Sequence, residues 1–151
     1  MRMSSETGIS LVEILVASAI GLAIAGFLGT AIYQFFAVTN QGSDVMTAMH
    51  QVQNAGHWIS LDGQESSAAS AGDDLILTIP NSSTVTYSVS GNQLVRTSDG
   101  EQMTVARYVG DVDFNVDGRV VTMSITAAPN SGWNVSEQAT YKVFLRPEGG
   151  G

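Results

Sequence analysis

The chain has no cysteine. That excludes disulfides, a thiolate nucleophile and a thiolate metal site. Basic residues are scarce, 6 against 14 acidic ones, for a formal net charge of −8. Arg96, Arg107, Arg119, Lys142 and Arg146 are scattered rather than clustered. Direct nucleic-acid binding draws its affinity from cationic side chains, so it is not expected here. Net negative charge at this level serves solubility. Proline is rare, with 3 residues, and the first of them is Pro80. Catalytic signatures are missing too: there is no glycine-rich phosphate loop, no G-x-S-x-G elbow and no HExxH. Neither an enzyme nor a cofactor is expected.

What the chain does have is a long apolar run near its start. Gly8 to Val38 reads GISLVEILVASAIGLAIAGFLGTAIYQFFAV, with Glu13 as its one charged side chain. From Ile14 to Val38 about 25 helical residues would span roughly 37 Å. A bilayer core of about 30 Å needs about 20 apolar residues, so the run is long enough to cross a membrane as one helix. Glu13 stands out, because an ionisable group in a spanning segment costs on the order of 3 kcal/mol and usually has a partner. The plainer reading of Glu13 is a carboxylate at headgroup level. Arg2 and the chain amine lie ahead of the run, which favours a cytoplasmic start.

Gly8-Ile9-Ser10-Leu11-Val12-Glu13-Ile14-Leu15 resembles the cleavage and methylation signal of type IV prepilins and type II secretion pseudopilins. The resemblance implies cutting between Gly8 and Ile9 by a membrane aspartyl peptidase, then N-methylation of Ile9. It also implies an assembly role in which Glu13 pairs with the methylated amine of Ile9 on a neighbouring subunit. Implied partners are the prepilin peptidase/N-methyltransferase, other pilin or pseudopilin subunits, an inner-membrane assembly platform, and membrane lipid before assembly. The implied location is the inner membrane, single-pass, with the C-terminal domain outside the cytoplasm, and then a periplasmic or extracellular filament. Ile9 stands where phenylalanine is commonest in that family. No proline interrupts the helix near Thr30, and the disulfide-closed loop of many major pilins is impossible here.

Four segments are expected: a leader over 1–8, a membrane or filament-core half-helix over 9–38, an amphipathic half-helix over 39–62, and a globular domain over 63–151. Val45, Met49, Val52, Gly56 and Ile59 recur at three- and four-residue spacing, which places them on one helix face. Gly56 is a candidate for close packing. Asp62-Gly63 reads as the helix stop, and Gln64 to Gly72 as a loop. His50 and His57, two turns apart on one face, are too distant to share a metal and read as exposed or structural.

After that the period becomes alternating. Leu75/Leu77/Ile79, Val85/Tyr87/Val89, Leu94 to Thr97, Met103/Val105/Tyr108, Val112/Phe114/Val116, Val121/Met123/Ile125 and Ala139/Tyr141/Val143/Leu145 read as strands. Gly91-Asn92, Asp99-Gly100 and Asp117-Gly118 read as turns. The expected fold is α+β and pilin-like: a long N-terminal helix packed on one antiparallel sheet with one apolar face. The segment LVRTSDGEQMTVARYVGDVDFNVDGRVVTMSIT, with YKVFLRP after it, looks most like J- or W-type minor pseudopilins.

Asp113, Asn115 and Asp117 begin a D-x-N-x-D-G pattern, a weak calcium candidate. Ser124 stands where the bidentate glutamate belongs, so the pattern is incomplete. The competing reading is a row of outward acidic residues entering a hairpin. Asn81 and Asn134 each open an N-x-S tripeptide. The expected function is a prepilin-like structural subunit of a type IV pilus or secretion pseudopilus, as a minor subunit. The alternatives are a major pilin, or a membrane-tethered β-rich binding or sensor domain that does not polymerise.

Overall fold

The computed structural model describes residues 10–80, 84–129 and 134–147. One helix, α1 (Leu11–Glu65, 55 residues), precedes eight strands among the described residues. The chain divides into two compact units, one ending at Asn40 and the other starting at Gln41.

In the first unit α1 carries no buried side chain. Its most apolar 18-residue window has a mean hydropathy of 2.3, which makes it a candidate membrane span.

The second unit is α+β, as the change of period predicts. The strands are β1 (Ala68–Ala71), β2 (Leu75–Thr78), β3 (Thr84–Ser90), β4 (Gln93–Ser98), β5 (Glu101–Arg107), β6 (Val109–Asp117), β7 (Val120–Ala127) and β8 (Glu137–Phe144). All pairings are antiparallel. The expected single sheet is two: a five-stranded sheet β1-β2-β3-β4-β5 and a three-stranded sheet β6-β7-β8. The division falls at Tyr108, whose φ of 58° turns the chain out of the strand that sequence alternation assigns it to. A tyrosine rarely adopts that conformation.

The turns come where glycine and asparagine mark them. Gly91 (φ 60°) opens the β3–β4 turn, and Asp99 (φ 54°) with Gly100 (φ 82°) makes the β4–β5 turn, as type I′ geometry requires. At the β6–β7 turn Asp117 still pairs with Val120, so the two loop residues are Gly118 and Arg119.

Two boundary expectations are corrected. Asp62-Gly63 does not stop α1, because both residues are buried within it. The helix ends at Glu65, and Ser66 closes it: its Oγ donates to the Asp62 carbonyl at 2.6 Å and its N–H reaches the same oxygen at 3.0 Å. The 64–72 loop is instead the last turn of α1 and β1, which pairs Ala68–Ala71 with β2.

The packed face of α1 also differs from the expected stripe. Ala48, Val52, Ala55, Gly56 and Ile59 are buried, while Met49 is 46% exposed. Small residues win because the strands come close. A Cβ built on Gly56 would lie 2.2 Å from the Tyr141 ring, and one on Gly63 would lie 2.6 Å from Val143 Cγ1. Leu75, Leu77, Val85, Tyr87, Leu94, Met123 and Ile125 complete the core. At its other side α1 satisfies the free edge of β5. Asn54 Nδ2 donates to the Val105 carbonyl at 2.6 Å, and Gln51 Oε1 accepts from the Arg107 N–H at 2.8 Å.

Candidate functional site

Two places concentrate unusual chemistry. The first is the start of α1. Ser10 precedes the helix and caps it: its Oγ accepts from the Glu13 N–H at 3.2 Å, and its carbonyl from the Glu13 N–H at 3.0 Å. A serine followed three residues later by glutamate is the sequence form of a capping box. Glu13 therefore lies in the first turn, where the helix dipole favours negative charge. Gly8 and Ile9, the two processing residues, lie outside the described residues.

The large apolar side chains from Leu11 to Val38 are exposed, Leu22 and Phe27 to 75%, and Phe35 meets Phe36 edge to face. The polar groups among them are satisfied locally. Ser18, Thr30 and Thr39 each donate to the carbonyl four residues back, at 2.8, 3.0 and 2.9 Å. Thr47 and Ser60, farther along α1, bond in the same way. Glu13, Ala17, Gly21, Ala25 and Gly29 follow at four-residue intervals, one ridge of the helix. Small side chains along such a ridge allow a second helix to approach closely in a membrane.

The second place is a buried polar cluster that sequence reading missed. Asp62 is 4% exposed. It accepts a short hydrogen bond from the Tyr87 hydroxyl. Arg96 grips it with both ends of its fork, Nε to Oδ2 and Nη2 to Oδ1, each at 2.7 Å. The guanidinium also stacks over Trp58, 5.2 Å from the ring centre. All partners of the carboxylate are in place, so the cluster is a closed structural network. Burial, reinforced by the Asp62 hydrogen bond, pushes the Tyr87 phenol far above its ordinary value near 10. The hydrogen bonds to Asp62 raise Arg96 as well.

A phenol held neutral in the fold stabilises it fully below about pH 10, the unfolded value, and less as pH rises through the folded value. Unfolding midpoints are therefore expected to fall progressively as pH rises above about 10, and the fall should shrink in Tyr87→Phe. An unchanged alkaline fall in that variant would place the cause elsewhere.

The calcium candidate is a strand, not a loop. Asp113, Asn115 and Asp117 are exposed at alternate positions of β6 and face Ser124, Thr122 and Val120 of β7. Alternate residues on a strand stand roughly 6.7 Å apart, too open a row to wrap one ion. Among the described residues no group of three or more His, Asp or Glu could hold a metal. His50 and His57 are exposed, with His57 edge-on to Trp58. Asn134 is exposed at φ 52°, and Asn81 lies outside the described residues.

No family model matches the chain, and no curated protein and no solved structure matches it.

Proposed function

We propose that this chain is a prepilin-like structural subunit of a type IV filament or secretion pseudopilus, in a minor position. Cleavage after Gly8 leaves the apolar half-helix on the mature chain as its membrane anchor and later as its filament-core segment. The observation that carries this reading is the exposed apolar helix of Leu11 to Val38, with a single carboxylate in its first turn. Such a surface needs lipid or other helices around it. Like helices supply the same cover as lipid, and the ridge from Ala17 to Gly29 suits their close approach. Glu13 at the head of that ridge pairs with the methylated Ile9 amine of a neighbour. A carboxylate is costly alone in a low-dielectric bundle, and an ammonium beside it offsets that cost.

The test is the intact mass of protein extracted from membranes, which is expected to fit a chain starting at Ile9. A mass that keeps residues 1–8, or one that lacks the helix, refutes the proposal and favours a tethered domain. In the same cells Glu13→Val should be processed normally and be missing from sheared filaments. Incorporation at the unmodified level would remove the assembly role from Glu13.

A further inference from the structure

The three-stranded sheet ends on β8, and no described strand pairs with β8 on its far side. At the other end of that sheet β6 lies beside β1. The Leu145 N–H donates to the Arg119 carbonyl at 2.9 Å, and this pair continues the register in which Val121 faces Val143. In an antiparallel ladder, facing residues that exchange hydrogen bonds alternate with facing residues that do not. Glu137, Ala139, Tyr141 and Val143 therefore turn their N–H and C=O groups toward β7. Gln138, Thr140, Lys142 and Phe144 turn theirs away from it. Among the described residues nothing bonds to these outward groups.

Open edges are ordinarily blunted by proline, a bulge, short length or a cover. β8 has eight residues, no proline and an unbroken register with β7. The edge of β5, by contrast, gives two of its groups to Gln51 and Asn54. A row of N–H and C=O groups at strand spacing is matched in full only by another extended backbone.

The surroundings select which backbone. Tyr141 and Val143 sit against the α1 backbone at Gly56 and Gly63, so α1 runs over the core face of β8. A helix is about 10 Å across and neighbouring strands stand about 4.8 Å apart, so α1 overhangs the place of an added strand. A second copy joined through its own β8 would bring its own α1 into the same space. A single extended segment fits beneath one helix. On the solvent face Lys142 is the one charge among the four outward residues, and Phe144 is 71% exposed. Opposite charges and apolar pairs set directly across two strands are favourable.

We infer that the free edge of β8 is a strand-addition site for an extended segment of another protein. That segment carries small apolar side chains beneath α1, a carboxylate across from Lys142 and an apolar residue across from Phe144. The site is independent of what the N-terminal half-helix does.

The probe is a capped eight-residue peptide that alternates alanine with threonine. Glutamate and leucine replace threonine where antiparallel pairing sets them across from Lys142 and Phe144. Amide hydrogen exchange is followed by NMR on the full-length protein in detergent. In the free chain the amides of Gln138, Thr140, Lys142 and Phe144 are expected to exchange faster than those of Ala139, Tyr141 and Val143. Saturating peptide should slow the first four by about tenfold or more. Thr140→Pro removes one outward N–H and spares the β7 ladder, so it should keep the Tyr141 protection and abolish the effect of the peptide. Lys142→Glu changes no backbone group and should raise the peptide concentration needed several-fold. No slowing by the peptide, or equal slowing in both variants, overturns the inference. Slowing of the same four amides that grows with protein concentration, without peptide, makes a second copy the occupant and overturns it too.

Discussion

Asp62→Ala is expected to destabilise the second unit by about 3 kcal/mol, the lower end of the cost of breaking a buried ion pair. The lower end applies because the Arg96 side chain is 18% exposed and can turn toward water, whereas the Tyr87 hydroxyl is wholly buried and loses its acceptor. Arg96→Met should cost at least as much, since it leaves a carboxylate with 6% side-chain exposure and only one remaining partner type. The double variant should cost clearly less than the sum, because the second change removes the group that the first left stranded. Urea unfolding of the full-length chain, followed by circular dichroism, measures all three. Additive costs would mean that the pair is not coupled and that the cluster acts through packing alone.

Gly56→Val is the second large effect, also about 3 kcal/mol, at the upper end of what overpacking a core costs. The ring of Tyr141 occupies the place the new side chain would need, with the nearest carbon 2.2 Å from the added Cβ. Nothing lies within 4 Å of a Cβ on Gly42, so Gly42→Val on the same helix controls for propensity. Tyr141→Ala should recover part of the loss in the Gly56→Val background while being destabilising by itself. Failure of that rescue would show that the helix, rather than the contact, suffers from the substitution.

Sequence made the local features legible. The apolar run with Glu13 declares itself because no charged residue interrupts it from Ile14 to Val38. The hairpins at Gly91 and Gly100 do so because left-handed backbone demands glycine or asparagine. Gly56 could be suspected of close packing for the same kind of reason. Tertiary facts were not legible. Asp62 lies 25 positions from Tyr87 and 34 from Arg96, and beside Gly63 it looks like a helix stop. Its partners override that propensity, as tertiary context often does. Ala68–Ala71 carries no strand signal of its own and becomes one by pairing with β2. Met49 fits the helical period, yet Ala48 and Ala55 take the core positions because the strands leave room only for small side chains. The break at Tyr108 has no marker residue at all.

The two carboxamides on α1, Gln51 and Asn54, bear on how the second unit behaves once separated from the apolar half of the helix. They occupy backbone groups of β5 that would otherwise be open to another strand. Open strand edges are where chains join one another into aggregates. A water-soluble fragment cut ahead of Gln51 keeps this guard, and one cut after Asn54 sheds it along with Val52. The last stretch of α1 is thus what keeps the strands after it from sticking to one another's copies.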